Sequence, residues 1–217
     1  MDTVAEVLGR SALVSLTATV IALALGVPLG TWLALTRRRG HRVLATAVNT
    51  GMAIPTVVVG LLVALLLWRS GPLGDLGLMY TLRGMIIAQV TIAAPLIAGI
   101  TMAGLQALPS ELPDQLQALG ASTPQLVVRL WIEARVPLLA AAMAGFGHAI
   151  SEVGSATIVG GNIHGQTQVM TTSIVERVGK GDFNEALVYA GILLALAFMV
   201  NAVLTSVQQR ATSWAQS

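Results

Sequence analysis

The chain has no cysteine and a single lysine, Lys180, among its 217 residues. Without thiols there are no disulfides, no thiol catalysis, no cysteine-ligated zinc and no cysteine-held iron–sulfur cluster. Lys180 is followed by Gly181. A phosphate-binding loop needs a lysine followed by serine or threonine, so the chain lacks one. Charge is scarce too. Charged residues make up 10% of the chain, against about 25% in a soluble domain. That is too little to cover a soluble fold of this size. A disordered chain, a nucleic-acid-binding domain and an ordinary cytosolic enzyme are excluded on this ground. Aromatics are only 4%, so Ala, Leu, Val and Gly must do the packing, which suits helices in close contact within a membrane. His41, His148 and His164 are too scattered to suggest a metal site, and no repeat is visible.

What the chain has in quantity is long apolar runs. About 20 apolar residues cross a hydrocarbon core roughly 30 Å thick. Five runs qualify: 11–35, 43–68, 84–104, 136–159 and 186–207. They predict an all-α, multi-pass membrane protein, with 1–217 as one domain. The first run has 25 residues without a charge, longer than the roughly 7–15-residue core of a cleavable signal peptide. It is therefore read as a retained span. Pro28, Pro55 and Pro95, one in each of the first three runs, are read as packing kinks. Trp32, Trp68 and Trp214 fall near span ends, where an indole favours the interface.

Arg37, Arg38, Arg39 and Arg42 follow the first run. The positive-inside rule places them in the cytoplasm. The N-terminus is then expected outside and the C-terminus, with Arg210, inside. Segment 105–135 also falls inside, while 69–83 and 160–185 fall outside.

The inside segment 105–135 predicts a short helix from about Glu111 to Leu119, stopped at Gly120. Pro113 fits its first turn, and Glu111 and Asp114 lie at the positive end of its dipole. Ser122 or Thr123 is expected to cap a second helix, with Pro124 at its start. Asp114-Gln115-Leu116 followed by Leu119-Gly120-Ala121-Ser122 resembles the EAA loop of type I ABC importer permeases. In that family the pattern is an acid, two small residues, three variable residues and a glycine. Gln115 and Leu116 replace the usual small pair here. Glu133-Ala134-Arg135 then stands where a Leu-Pro is common, with Pro137 after it. A second stretch, 145–154 followed by 158–163, resembles the tungstate-type oxyanion importer permeases.

The resemblance implies a type I ABC permease fold working as a homodimer. It implies a cytoplasmic ABC ATPase dimer that holds ATP and Mg, and an extracytoplasmic oxyanion-binding protein. The chain itself would carry no cofactor, no metal and no catalytic residue, would bind no nucleic acid, and would lie in a bacterial-type inner membrane surrounded by lipid. Glu111, Asp114, Leu119, Gly120, Ala121 and Ser122 would form the ATPase-coupling helix. Tungstate is the expected cargo, with molybdate or sulfate as alternatives. A secondary transporter or channel would leave the coupling segment unexplained. An intramembrane enzyme would have only His148 and Glu152 to work with.

Glu152 lies within the fourth run, where a charge costs on the order of 2.5–3.5 kcal/mol at a helix centre. It is expected to face the protein interior, with His148 four residues earlier on the same face and within hydrogen-bonding reach. Pore gating and a structural polar lock are both open. Ser151, Gly154, Ser155 and Thr157 suit either close helix packing or a hydroxyl-lined anion path. Residues 153–175 carry no charge, yet 14 of the 23 are Gly, Ser, Thr, Asn, Gln or His. Gly160-Gly161-Asn162 is expected to end the span or turn back, with Asn162 joining His148, Ser151, Glu152, Gly154 and Ser155 as candidate pore or gate residues, and 167–178 to form a short outer helix. That helix would be part of a gate or dock, or simply a surface loop.

Overall fold

The computed structural model describes residues 3–36 and 40–213, with side chains through 209. Arg37, Arg38, Arg39 and Trp214 lie outside the described residues, as does the Arg210 side chain. The described residues form helices and turns without a strand.

Helix α1 (Val4–Leu35) opens with a capping box: the Thr3 N–H donates to Glu6 and the Glu6 N–H to the Thr3 hydroxyl. It begins seven residues before the expected span and runs through Pro28 unbroken. Next come α2 (His41–Ala53) and α3 (Thr56–Leu67), then a 3-10 turn at Gly74–Leu76 and α4 (Leu82–Gln106). The short α5 (Leu112–Ala118) and α6 (Thr123–Glu133) follow. After them come α7 (Arg135–Ser151), α8 (Gly154–Gly160), α9 (Met170–Gly179) and α10 (Phe183–Ser213).

Three helices, α1, α4 and α10, are individually long and apolar enough to cross a membrane, and the count reaches five if each of two bent pairs is one span. Two of the five expected spans are broken. The second run is two helices, α2 and α3, meeting at 104°. Pro55 is the cause. It forces Ile54 into extended backbone (φ −67°, ψ 130°), which ends α2. Pro28 and Pro95 stay inside continuous helices that pack against each other. The fourth run is likewise divided, into α7 and α8 at 56°. Glu152 therefore sits at a helix break and not within a helix.

The scaffold is the α1–α4 pair, held close by small residues. A Cβ on Gly30 would stand 2.4 Å from the Ala98 carbonyl oxygen, and one on Gly26 2.8 Å from that of Ala94. Backbones this near exclude any side chain and maximise dispersion contact, the means by which helices associate in lipid. Ala22, Ala93, Ile97 and Ala141 bury a shared core there and bring in α7. The half-helices α3 and α8 cross at Gly60, where a Cβ would lie 2.7 Å from Ser155 Cα. By contrast, α10 leaves Leu187, Leu194 and Phe198 at least 70% exposed, so much of its apolar surface has no partner within the chain.

Candidate functional site: a surface turn and a broken helix

The first site is the turn between α5 and α6. Helix α5 ends in a Schellman motif: the Gly120 N–H donates to the Gln117 carbonyl (2.9 Å) and the Ala121 N–H to that of Leu116 (3.0 Å). The motif needs a left-handed residue, and Gly120 has φ +85°. Ser122 caps α6, its N–H donating to Gln125 Oε1 at 2.8 Å, and Pro124 occupies the first turn. Glu111 and Asp114 are both exposed at the start of α5. The Ser110 hydroxyl donates to Glu111, and this bond, followed by its own backbone N–H, holds the Glu111 carboxyl below its ordinary range.

The inner faces of α5 and α6 are anchored. Leu126 and Leu130 are buried with Leu105 and Ala134, and Leu112, Leu116 and Leu138 pack around them. The outer face is open. Leu119 is 85% exposed at its tip, beside a groove of about 660 Å³ floored by Leu116, Ala121, Pro124 and Val128. All six expected coupling residues thus lie in one continuous surface turn. One contact was not foreseen: the Trp131 indole N–H donates to the Thr31 hydroxyl at 2.8 Å, tying α6 to α1.

The second site is the α7–α8 break. Glu152 is only 6% exposed. Its Oε1 accepts the Ser155 N–H at 2.8 Å, supplying a partner to the new helix start. Its carbonyl, freed by the break, accepts the Thr171 hydroxyl at 2.8 Å. The expected His148–Glu152 bond is absent from the described contacts. The helix ends at Ser151, so Glu152 no longer continues the face on which His148 lies, and the carboxylate turns forward to Ser155. The Ser151 hydroxyl donates back to the Gly147 and His148 carbonyls. Gly154 packs against Val57, and the Ser155 hydroxyl is buried without a partner. Ser11, Ser15, Gln89 and Thr171 surround a cavity of about 10 Å³ beside Glu152, room for about one water.

Asn162 is not part of the break. It follows α8 in left-handed backbone (φ 48°), and its amide donates to Glu176 at 2.9 Å. Glu176, on α9, is a hub the sequence reading missed. It also accepts from Gln168 (2.6 Å), His164 (3.0 Å) and Lys180. Chiefly through Lys180, and against a partial burial that opposes the shift, its carboxyl is held at about 2. The Glu176–Lys180 spacing of four residues was the available sequence signal. The expected outer helix 167–178 is present as α9, starting three residues later. Its start is fastened to α1, where the Ser11 hydroxyl accepts the Met170 N–H at 2.7 Å.

Helices long and apolar enough to cross a membrane, with an anchored surface turn and a broken helix, fit a multi-pass membrane subunit. The family model for the binding-protein-dependent transport system inner membrane component matches residues 26–213. The chain belongs to this family of ABC importer permeases. It is 40% identical to the tungstate uptake system permease protein TupB of Peptoclostridium acidaminophilum, over 92% of this chain and 87% of that one. It is 37% identical to a probable anion ABC transporter permease protein of Haloferax volcanii, over 88% and 84%. Identity falls to 30% with the molybdenum transport system permease protein ModB of Azotobacter vinelandii, over 87% and 86%. In fold it resembles a chain of the MetNI methionine ABC transporter, solved in inward-facing conformations, with TM-score 0.76 and 19% identity over 96% and 95%.

Proposed function

We propose that this permease carries tungstate into the cytoplasm by alternating access, driven by a separate ATPase. The cargo reading rests on relatedness: identity is 40% with the tungstate permease and 30% with the molybdenum permease. The mode of driving rests on one structural observation, the surface turn whose tip, Leu119, is 85% exposed while its base is buried. An anchored projection of this kind transmits force from a partner, because the chain behind it moves as a rigid body.

In this reading Leu119, Gly120, Ala121 and Ser122, with Glu111 and Asp114, engage a cleft of the ATPase, where ATP and Mg bind. The N-terminus lies outside and the C-terminus inside. A second copy covers the exposed α10 surface, and an extracytoplasmic binding protein delivers the anion. The α7–α8 break, with His148, Ser151, Glu152, Gly154 and Ser155, forms the moving part of the pore. Glu152 shapes the gate and does not hold the anion, since like charges repel.

The absence of cysteine gives a clean test. Leu119→Cys supplies the sole thiol of the permease. A thiol-to-amine cross-linker should join it to the ATPase in assembled membranes. Failure to cross-link, in a complex that still imports tungstate, would reject the docking role.

A further inference from the structure

Beyond the docking turn and the break lies an open cavity of about 500 Å³ at the C-terminal end of α3, lined by Trp68, Arg69, Gly74, Gly77, Met79 and Tyr80. Its polar side chains are Trp68, Arg69 and Tyr80, and each can donate a hydrogen bond. An indole N–H and a guanidinium only donate hydrogen bonds, and a phenol donates one. No carboxylate lines the cavity. Among the described residues, Arg69, the Trp68 indole N–H and the Tyr80 hydroxyl have no hydrogen-bond or ion-pair partner, and the two aromatic rings meet edge to face at 6.1 Å. Three other cations expected on this face are engaged, Arg10 with the Gln168 carbonyl, Arg177 with Glu185 and Lys180 with Glu176, while Arg83 is exposed and outside the cavity. A cavity offering a fixed positive charge and further donors, without a carboxylate, favours an anion rich in acceptor oxygens.

Its walls are built rather than incidental. Tyr80 adopts φ 61°, uncommon for a residue with a side chain. Its N–H donates to the Val159 carbonyl of α8 at 2.9 Å. A Cβ on Gly161 would lie 2.7 Å from the Tyr80 ring. The cavity is therefore fastened to the half-helix that begins at the Glu152 break.

We infer that this cavity binds a tetrahedral oxyanion group at the outer mouth of the permease. The placement rests on the proposed orientation, and the link to transport on the proposed cargo. Two sources share this chemistry. One is the free anion in transit. The other is a lipid phosphate, because a second, mainly apolar cavity of about 250 Å³ shares Trp68, Met79 and Tyr80 and continues along Leu61 and Leu65.

The test uses the assembled permease–ATPase complex, labelled with 5-fluorotryptophan, in phosphatidylcholine nanodiscs. The Trp68 fluorine resonance is identified by its loss in Trp68→Phe. It is followed during titration with sodium tungstate and, separately, with a rising fraction of phosphatidylglycerol. A saturable shift is expected in at least one titration, with binding retained in Arg69→Lys. Arg69→Gln should weaken it by about tenfold or more, the loss of one charge-assisted hydrogen bond. A response to tungstate identifies the free anion; a response to phosphatidylglycerol alone identifies the headgroup. No shift in either titration, or an unchanged shift in Arg69→Gln, overturns the site. ATP-driven tungstate uptake by the unsubstituted complex separates the two readings. Uptake with a silent Trp68 rejects this site alone. A responsive Trp68 without uptake rejects the cargo and leaves the site standing.

Discussion

The indole N–H of Trp131 donates to the Thr31 hydroxyl across 2.8 Å, and the two residues are 100 positions apart. Thr31 in turn donates to the Val27 carbonyl one turn back on α1. The pair joins α6, behind the surface turn, to the longest helix of the scaffold by a directional contact, so under the proposed coupling a displacement of α6 would act on α1 as well as on the adjoining α7. Trp131→Phe keeps the ring and removes the N–H. Thr31 retains its bond to Val27, so the stability loss should be about 1 kcal/mol. Tungstate imported per ATP hydrolysed should fall, while assembly with the ATPase is kept. An unchanged ratio would show that force does not pass through this contact.

Gly120 tests the turn itself. At φ +85° a β-branched side chain is strained, by about 1–3 kcal/mol. No atom lies within 4 Å of a Cβ placed there, so the strain is purely in the backbone. Gly120→Val should insert and assemble, yet hydrolyse ATP without matching uptake. Gly120→Asn, which tolerates the left-handed region, should retain most coupling. Both are read as the ratio of uptake to hydrolysis in proteoliposomes.

At the break, Glu152→Gln keeps an oxygen for the Ser155 N–H, whereas Glu152→Ala leaves that buried donor unpaired. The alanine variant should lose about 1–3 kcal/mol relative to the glutamine variant. Thermal denaturation in detergent ranks them. Equal stability would mean that Glu152 does not cap α8.

Where α3 crosses α8, Gly60→Leu would drive a side chain into the Ser155 backbone, which a Cβ alone approaches to 2.7 Å. Overpacking of this kind costs about 1–3 kcal/mol. Loss of uptake is expected before loss of insertion, as judged by protease-resistant protein in membranes.

The Glu176 hub sets a pH dependence. Its carboxyl falls from 4.5 to about 2 on folding, chiefly through Lys180. A depressed carboxylate contributes stability that is full above its unfolded value and is lost as pH falls toward the folded one. The melting temperature should therefore decline as pH falls from about 4.5 to 2. Glu176→Gln should flatten this decline. A parallel decline in both proteins would remove Glu176 as its cause.

The long helices were legible because uncharged runs of this length have few other uses. The Schellman turn was legible because Gly120 follows a short helical pattern directly. The two breaks were not. Apolar residues flank Pro55 on both sides, the run 136–159 is apolar enough on average to carry Glu152, and hydropathy does not register direction. Pro28 and Pro95 show that proline alone does not settle the matter, since each stays within a continuous helix. The Glu152 break depends on Thr171, 19 residues on, which satisfies the freed carbonyl. The Glu176 hub gathers partners from the loop after α8 and from Lys180 just past α9, so only its local pair with Lys180 could be read from spacing.

The most direct test is uptake of labelled tungstate into proteoliposomes holding the permease with its ATPase, with binding protein outside. The account predicts uptake that requires both ATP within and binding protein without, and that an excess of molybdate or sulfate inhibits only weakly. Tungstate entry by the permease alone, following its gradient without ATP, would contradict it.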